Sequence, residues 1–271
     1  MTRVMIKRLL VLASALLALA TSCAPKAEKT AEAPADYQPA FTVFNDGADT
    51  LLYRYLEPAA VKKGKTYPLV LFMHGAGERG SDNLRQLLLC MRVFTNPVNR
   101  EKYPCYVLAP QCPKDGYWAY ESRPGFMTWD MPKDFPETAR MQAVMQLVDD
   151  FAATHPVDTR RLYIMGLSMG GMATWDVIAR HPDKFAAAVP ICGAINIDRL
   201  TGDIKSAVRI CHGDADNIVP LEYSRQAYRK LSACGVNVQY REYPGVGHNS
   251  WDPAVTEPDF LPWLFSQKKT R

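Results

Sequence analysis

The sequence predicts an α/β domain: a mostly parallel central sheet with helices on both faces and no large lid. Three observations lead there. Apolar, β-branched runs alternate with helix-patterned segments along most of the 271 residues, which implies crossover connections between parallel strands. Each chemistry-bearing motif directly follows a strand-like run, at the carboxyl ends where such sheets place their sites. One apolar run, Arg161 to Met165, ends in Gly166-Leu167-Ser168-Met169-Gly170-Gly171 and is followed by a helix-like segment.

The chain opens with Arg3, Lys7 and Arg8, then the twelve apolar or small residues Leu9 to Ala20, then Thr21-Ser22-Cys23. A basic start, a short apolar stretch and small residues before a cut site read as a secretory signal. A membrane span needs about 20 apolar residues. Cysteine directly after the small residues resembles a bacterial lipobox, with Ala20 standing where leucine is usual. Residues 1–22 are therefore expected to be a lipoprotein signal, with Cys23 lipidated. Residues 23–38 are small, charged and proline-containing and read as a flexible tether. Residues 39–271 remain for one folded domain.

Within that domain, strands are expected at 50–55, 69–73, 105–108, 162–165, 186–191, 207–211 and 236–243. Helices are expected at 84–93, 137–154, 168–180, 222–233 and 259–267. No internal repeat or second domain is visible. The formal charge of +4 lies mostly in the leader: without Arg3, Lys7 and Arg8, 29 basic residues face 28 acidic ones. Nothing there argues for a nucleic-acid partner, and membrane contact is expected only through an N-terminal lipid. Besides Cys23, six cysteines occur, and none combines with histidine at zinc-ligand spacing. They are expected to be mostly buried free thiols.

Gly-x-Ser-x-Gly between a strand and a helix is the pattern of a nucleophile elbow. The turn is crowded, so a side chain at Gly166 or Gly170 would meet neighbouring backbone. A serine hydroxyl needs a base, and the base needs an orienting carboxylate. In the chain order nucleophile–acid–base, the base comes last. Of the five histidines, His155 and His181 precede prolines at helix ends and read as surface residues. His74 and His212 precede glycines after strands, and His248 lies in a loop after the final strand. His248 is thus the candidate base. The carboxylate comes from Asp214 or Asp216, both after the strand ending near Cys211, and Asp216 is favoured. The oxyanion needs two backbone N–H donors. Met169 supplies one. Ala76, with Gly77 as its neighbour alternative, supplies the other from His74-Gly75-Ala76-Gly77-Glu78-Arg79-Gly80. No metal or cofactor is required.

His74-Gly75-Ala76-Gly77-Glu78-Arg79-Gly80, Ala109-Pro110-Gln111-Cys112-Pro113, Gly166-Leu167-Ser168-Met169-Gly170-Gly171, His212-Gly213-x-x-Asp216-x-x-Val219-Pro220 and Gly247-His248-x-x-Trp251 occur together. Their combination resembles bacterial esterases of the phospholipase/carboxylesterase and polyhydroxybutyrate-depolymerase-like branch of the α/β-hydrolases. The likeness runs from about Tyr67 to the C-terminus. It implies a Ser168–Asp216–His248 triad, strengthens Asp216 over Asp214, and makes residues 39–271 an α/β-hydrolase catalytic domain. Relatives often carry a β-rich N-terminal segment, and here only about Phe41 to Leu56 is available for one, reduced or truncated to edge strands.

A cap commonly enters between the strands ending near Cys192 and starting near Ala207, and that link is too short for one. The cleft is therefore expected to be open, which suits a soluble ester. The longer excursion, Pro113 to Phe135, carries Tyr117, Trp118, Tyr120, Phe126 and Trp129. Such rings either stack on a sugar or aromatic acyl group or pack the loop onto the domain. Trp118 and Trp251 are the candidate substrate contacts. The expected activity is carboxylic-ester hydrolysis through an acyl-enzyme, on a small-molecule or oligosaccharide ester, with acetyl and feruloyl esters suggested by analogy. A prolyl-oligopeptidase-type peptidase and a non-catalytic binding protein are the alternatives. Location in the bacterial envelope, or secretion, follows from the leader.

Overall fold

A computed structural model describes residues 38–44, 49–120 and 131–270. The leader, Cys23, most of the tether, and Phe126 and Trp129 lie outside the described residues. Eight strands form one sheet: β1 (Gln38–Phe44), β2 (Asp49–Leu56), β3 (Tyr67–Met73), β4 (Tyr106–Gln111), β5 (Val157–Leu167), β6 (Ala187–Ile191), β7 (Ala207–Gly213) and β8 (Val238–Tyr243). Their order is β1-β2-β4-β3-β5-β6-β7-β8. β1 and β2 pair antiparallel, and β2 is antiparallel to β4. All further pairings are parallel. The N-terminal segment is thus an antiparallel edge ribbon on a parallel sheet.

The parallel strands are apolar throughout because both faces are covered. Every residue of β3 is buried. Leu69, Leu71 and Met73 point into one core, and Val70 and Phe72 into the other, following the two-residue period of a strand. The first core is closed by α3 (Ala139–Thr154), α4 (Met169–Arg180) and α5 (Glu222–Ala233). The second is closed by residues 87–94 with α6 (Trp251–Thr256) and α7 (Phe260–Ser266). α1 (Arg92–Thr95) and α2 (Pro97–Lys102) precede β4. α3 starts where the Thr138 hydroxyl accepts from the Met141 N–H at 3.1 Å. It ends at His155, just before Pro156, as expected of a residue preceding proline.

Several elements differ from the expected ones. The helix expected over 84–93 is broken into a 3-10 turn at Arg85–Leu87 and the short α1. Asn83 (φ 53°) and Cys90 (φ 65°) take left-handed backbone there, which a continuing helix does not allow. β1 is part of the reduced β-rich edge expected within Phe41 to Leu56 and starts earlier, at Gln38; α6 has no counterpart among the expected helices, and β5 begins five residues early, at Val157. His155 is only partly a surface residue: its ring stacks on Phe151 at 3.8 Å. The link from β6 to β7 holds one 3-10 turn, Ile197–Arg199, and no lid. Of the six described cysteines, all free, four are buried, Cys90 is half-buried and Cys234 is exposed.

Candidate active site

Ser168 sits between β5 and α4 with φ 52° and ψ −116°. For a residue with a side chain this is a strained conformation, costing about 1–3 kcal/mol that the surrounding fold must supply. Its neighbours explain how the turn is held. A Cβ on Gly166 would lie 2.3 Å from the Gly170 carbonyl oxygen, and one on Gly170 would lie 1.9 Å from that of Met73. Both glycines therefore let the elbow press onto the end of β3, as the crowding argument expects. Ser168 Oγ makes no capping bond to α4. It lies 2.9 Å from His248 Nε2 instead.

Two loops bring the histidine and a carboxylate to the serine. Gly213 ends β7, and a Cβ there would lie 2.1 Å from the Val246 oxygen and 2.5 Å from the Gly247 oxygen. Its absence lets the loop after β8 close down on the loop after β7. That approach is pinned by the Ala215 N–H to Val246 O (3.0 Å) and by the Gly245 N–H to Asp214 Oδ1 (2.6 Å). His248 Nδ1 then stands 2.8 Å from Asp216 Oδ2. The two candidate carboxylates thus divide: Asp214 ties the loops together, and Asp216 reaches the imidazole. Trp251, at the start of α6, places its ring edge-on to His248 with centroids 5.6 Å apart.

The Asp216 side chain is fully buried. Burial alone would raise its pKa, but bonds from His212, His248, Val219 and Ile218 outweigh that and hold it well below the usual carboxylate value. The Ile218 and Val219 N–H groups donate to Oδ1 at 2.8 and 3.0 Å. His212 Nε2 lies 3.1 Å from Oδ2. His212 carries no role in the sequence-derived triad; its signal is the His-Gly-x-x-Asp spacing, in which a turn from Gly213 to Asp216 brings the carboxylate back beside the imidazole at the end of β7.

Gly75 packs against Leu167, the residue before the serine, with a virtual Cβ 2.7 Å from Leu167 Cδ1. This sets the loop after β3 beside the elbow, with Ala76 exposed and Met169 opening α4. Among the described residues, neither the Ala76 nor the Met169 N–H is engaged by another group. His74 anchors this loop. Its Nδ1 lies 2.6 Å from Gly75 O, and its Nε2 accepts from the Cys112 N–H at 2.9 Å. Burial pushes its pKa down to about 4, against a smaller upward pull from the Gly75 carbonyl.

Trp118 does not face the cleft. It is fully buried, donates from Nε1 to His74 O at 3.2 Å and meets the His74 ring edge-on. A ring enclosed beneath the loop has no free face for substrate, so this placement corrects the expected contact. Cys192 Sγ, an Asp216 oxygen and a His248 nitrogen lie within 4.8 Å of one another. Asp216 and His248 already bond to each other, and burial raises the Cys192 thiol far above its ordinary value.

The family model for phospholipases and carboxylesterases matches residues 58–257. The chain belongs to this family. The bifunctional acetylxylan esterase/xylanase of Neocallimastix patriciarum is 28% identical over 138 residues, 48% of this chain and 20% of that protein. Mouse lysophospholipase-like protein 1 is 25% identical over 199 residues, 68% of this chain and 81% of its own. The crystal structure of a thermostable esterase superposes with a TM-score of 0.78 at 34% identity, covering 86% of this chain and 64% of that one. The chain thus spans a fifth of the acetylxylan esterase/xylanase and under two thirds of the thermostable esterase.

Proposed function

We propose that this carboxylesterase-family protein hydrolyses short-chain or carbohydrate-linked esters through a Ser168–His248–Asp216 triad and an acyl-enzyme. One observation carries the reading: Ser168 Oγ, His248 and Asp216 form a continuous hydrogen-bonded line with links of 2.9 and 2.8 Å. In the first half-reaction His248 Nε2 takes the Ser168 proton as Oγ attacks the ester carbonyl. The amides of Ala76 and Met169 receive the developing oxyanion. His248 returns the proton to the leaving alcohol, and the acyl group stays on Ser168. Water then repeats the sequence and frees the acid. Asp216 fixes the Nδ1–H tautomer of His248 and stabilises its charged form.

The lidless link from β6 to β7 and an acetylxylan esterase among the relatives support small acyl groups on a carbohydrate alcohol. The leader motif and a relative from Arthroderma benhamiae described as a secreted protein support export, with Cys23 as a lipid anchor in the bacterial envelope. The test is a panel of acetyl, butyryl, long-chain acyl and feruloyl esters, with Ser168→Ala as control. Turnover of acetyl or feruloyl esters, lost in Ser168→Ala, is expected. Faster cleavage of a proline amide than of any ester, or turnover that survives Ser168→Ala, overturns the reading.

A further inference from the structure

We infer that His212 is a positioning residue for the same reaction, holding Asp216 from the side away from His248, with Ser224 fixing its tautomer. The inference rests on the triad reading above. His212 is fully buried at the end of β7. Its Nδ1 lies 2.7 Å from Ser224 Oγ on α5. Its Nε2 lies 3.1 Å from Asp216 Oδ2 and 3.1 Å from Val219 O. An ionised carboxylate and a backbone carbonyl only accept, so Nε2 carries the proton and is shared between them. Nδ1 is then the acceptor and the Ser224 hydroxyl donates to it. Without that hydroxyl the proton can move to Nδ1, turning a bare Nε2 lone pair toward the carboxylate.

Asp216 Oδ2 thereby receives two imidazole N–H groups while Oδ1 receives two backbone N–H groups. The result is a line of five side chains: Ser224, His212, Asp216, His248 and Ser168. Two consequences follow. The carboxylate is held from three directions, so its plane stays aimed at His248. Its charge is also divided between two donors, which tempers its pull on the His248 proton. The other titratable groups nearby are Cys192 beyond β6, within reach of Asp216 and His248, and Glu242 on β8, which Arg225 on α5 holds at 2.7 and 3.0 Å.

The test compares wild type with His212→Leu, His212→Gln and Ser224→Ala. It reads kcat, KM and the pH dependence of kcat/KM on p-nitrophenyl acetate, with proton NMR of the downfield imidazole N–H signals. His212→Leu should lower kcat about 10- to 100-fold, the range for losing a hydrogen bond to a charged group, with KM nearly unchanged. Its acid limb should move to higher pH, because an undivided carboxylate holds the imidazolium more strongly. His212→Gln, which still offers an N–H, should recover most of kcat, and Ser224→Ala should fall between. Wild type should show two downfield N–H signals, one of them lost in His212→Leu. Equal losses in His212→Leu and His212→Gln with an unmoved acid limb would mean packing alone and overturn the inference. If His212→Leu does not fold, Ser224→Ala with wild-type kcat and acid limb overturns it as well. A wild type inert to esters that still shows both signals supports this geometry while removing the ester reading. An active wild type with one such signal does the reverse.

Discussion

Gly170→Ala tests how tightly the elbow and the oxyanion loop depend on each other. The added Cβ would lie 1.9 Å from the Met73 oxygen and 2.7 Å from the His74 oxygen, where ordinary contact begins at 3.4 Å. Something must retreat by about 1.5 Å, and both obstacles are backbone in a close-packed interior. Met73 is fixed by its pairing with Gly166 across β3 and β5. Opposing this, alanine gains up to about 1 kcal/mol over glycine in a helix. Overpacking costs about 1–3 kcal/mol and more where nothing can yield, so the clash wins. With the clash at the upper end, about 3–4 kcal/mol because both obstacles are backbone, a net loss of about 2–3 kcal/mol is expected, or roughly 4–12 °C in Tm for a domain of this size. A misplacement of about 1 Å at the oxyanion loop should also cost about a hundredfold in kcat. Gly77→Ala is the control, since its Cβ meets nothing within 4 Å. Urea unfolding and ester kinetics on both variants decide the matter. Wild-type stability and kcat in Gly170→Ala, or equal damage in Gly77→Ala, would refute the reasoning.

Asp216→Asn should lower kcat by roughly 10⁴, because an amide N–H facing two imidazole N–H groups forces His248 into the wrong tautomer. Asp214→Asn should cost less than about tenfold, and steady-state kinetics on the pair separate the two carboxylates. His74 has its pKa lowered from 6.5 to about 4 in the folded state. The unfolded chain therefore binds the extra proton first, so stability is full above pH 6.5 and falls as pH drops toward 4, by at most about 1.4 kcal/mol per pH unit. Urea unfolding across that window should show the slope, and His74→Gln should flatten it. Asp216 acts in a lower window: its depressed pKa adds stability above 3.8 that is lost as pH falls through the folded value. With a thiol reagent, Cys234 should react in the native protein, and Cys105, Cys112, Cys192 and Cys211 only after unfolding, as timed labelling with and without urea would show.

The strands of the parallel sheet could be read because burial on both faces leaves uninterrupted apolar runs, as in Tyr67–Met73. The elbow could be read because its glycines answer a steric demand that no other residue meets. The segment over 84–93 could not. Its apolar spacing suits a helix; Asn83 is of a type that enters left-handed backbone readily, but the same conformation at Cys90 is imposed by tertiary packing on a residue with no such preference. β1 could be placed only as an unbounded edge strand within Phe41 to Leu56, because an edge strand takes its form from its partner, here β2. Trp118 shows a different limit. Aromatic residues in a long loop carry the same signal whether they stack on a ligand or fill the space beneath the loop, and only the fold separates the two. His212 was within reach, since a tight turn straight after the strand, over Gly213 to Asp216, folds the carboxylate back onto the imidazole at the end of β7.

The most direct measurement is rapid-quench mass spectrometry of the protein turning over p-nitrophenyl acetate. The account predicts a burst of one p-nitrophenol per molecule, with an acetyl group on the peptide carrying Ser168 and none in Ser168→Ala. Ester turnover with no acylated peptide, or with the acetyl group on another residue, would contradict it.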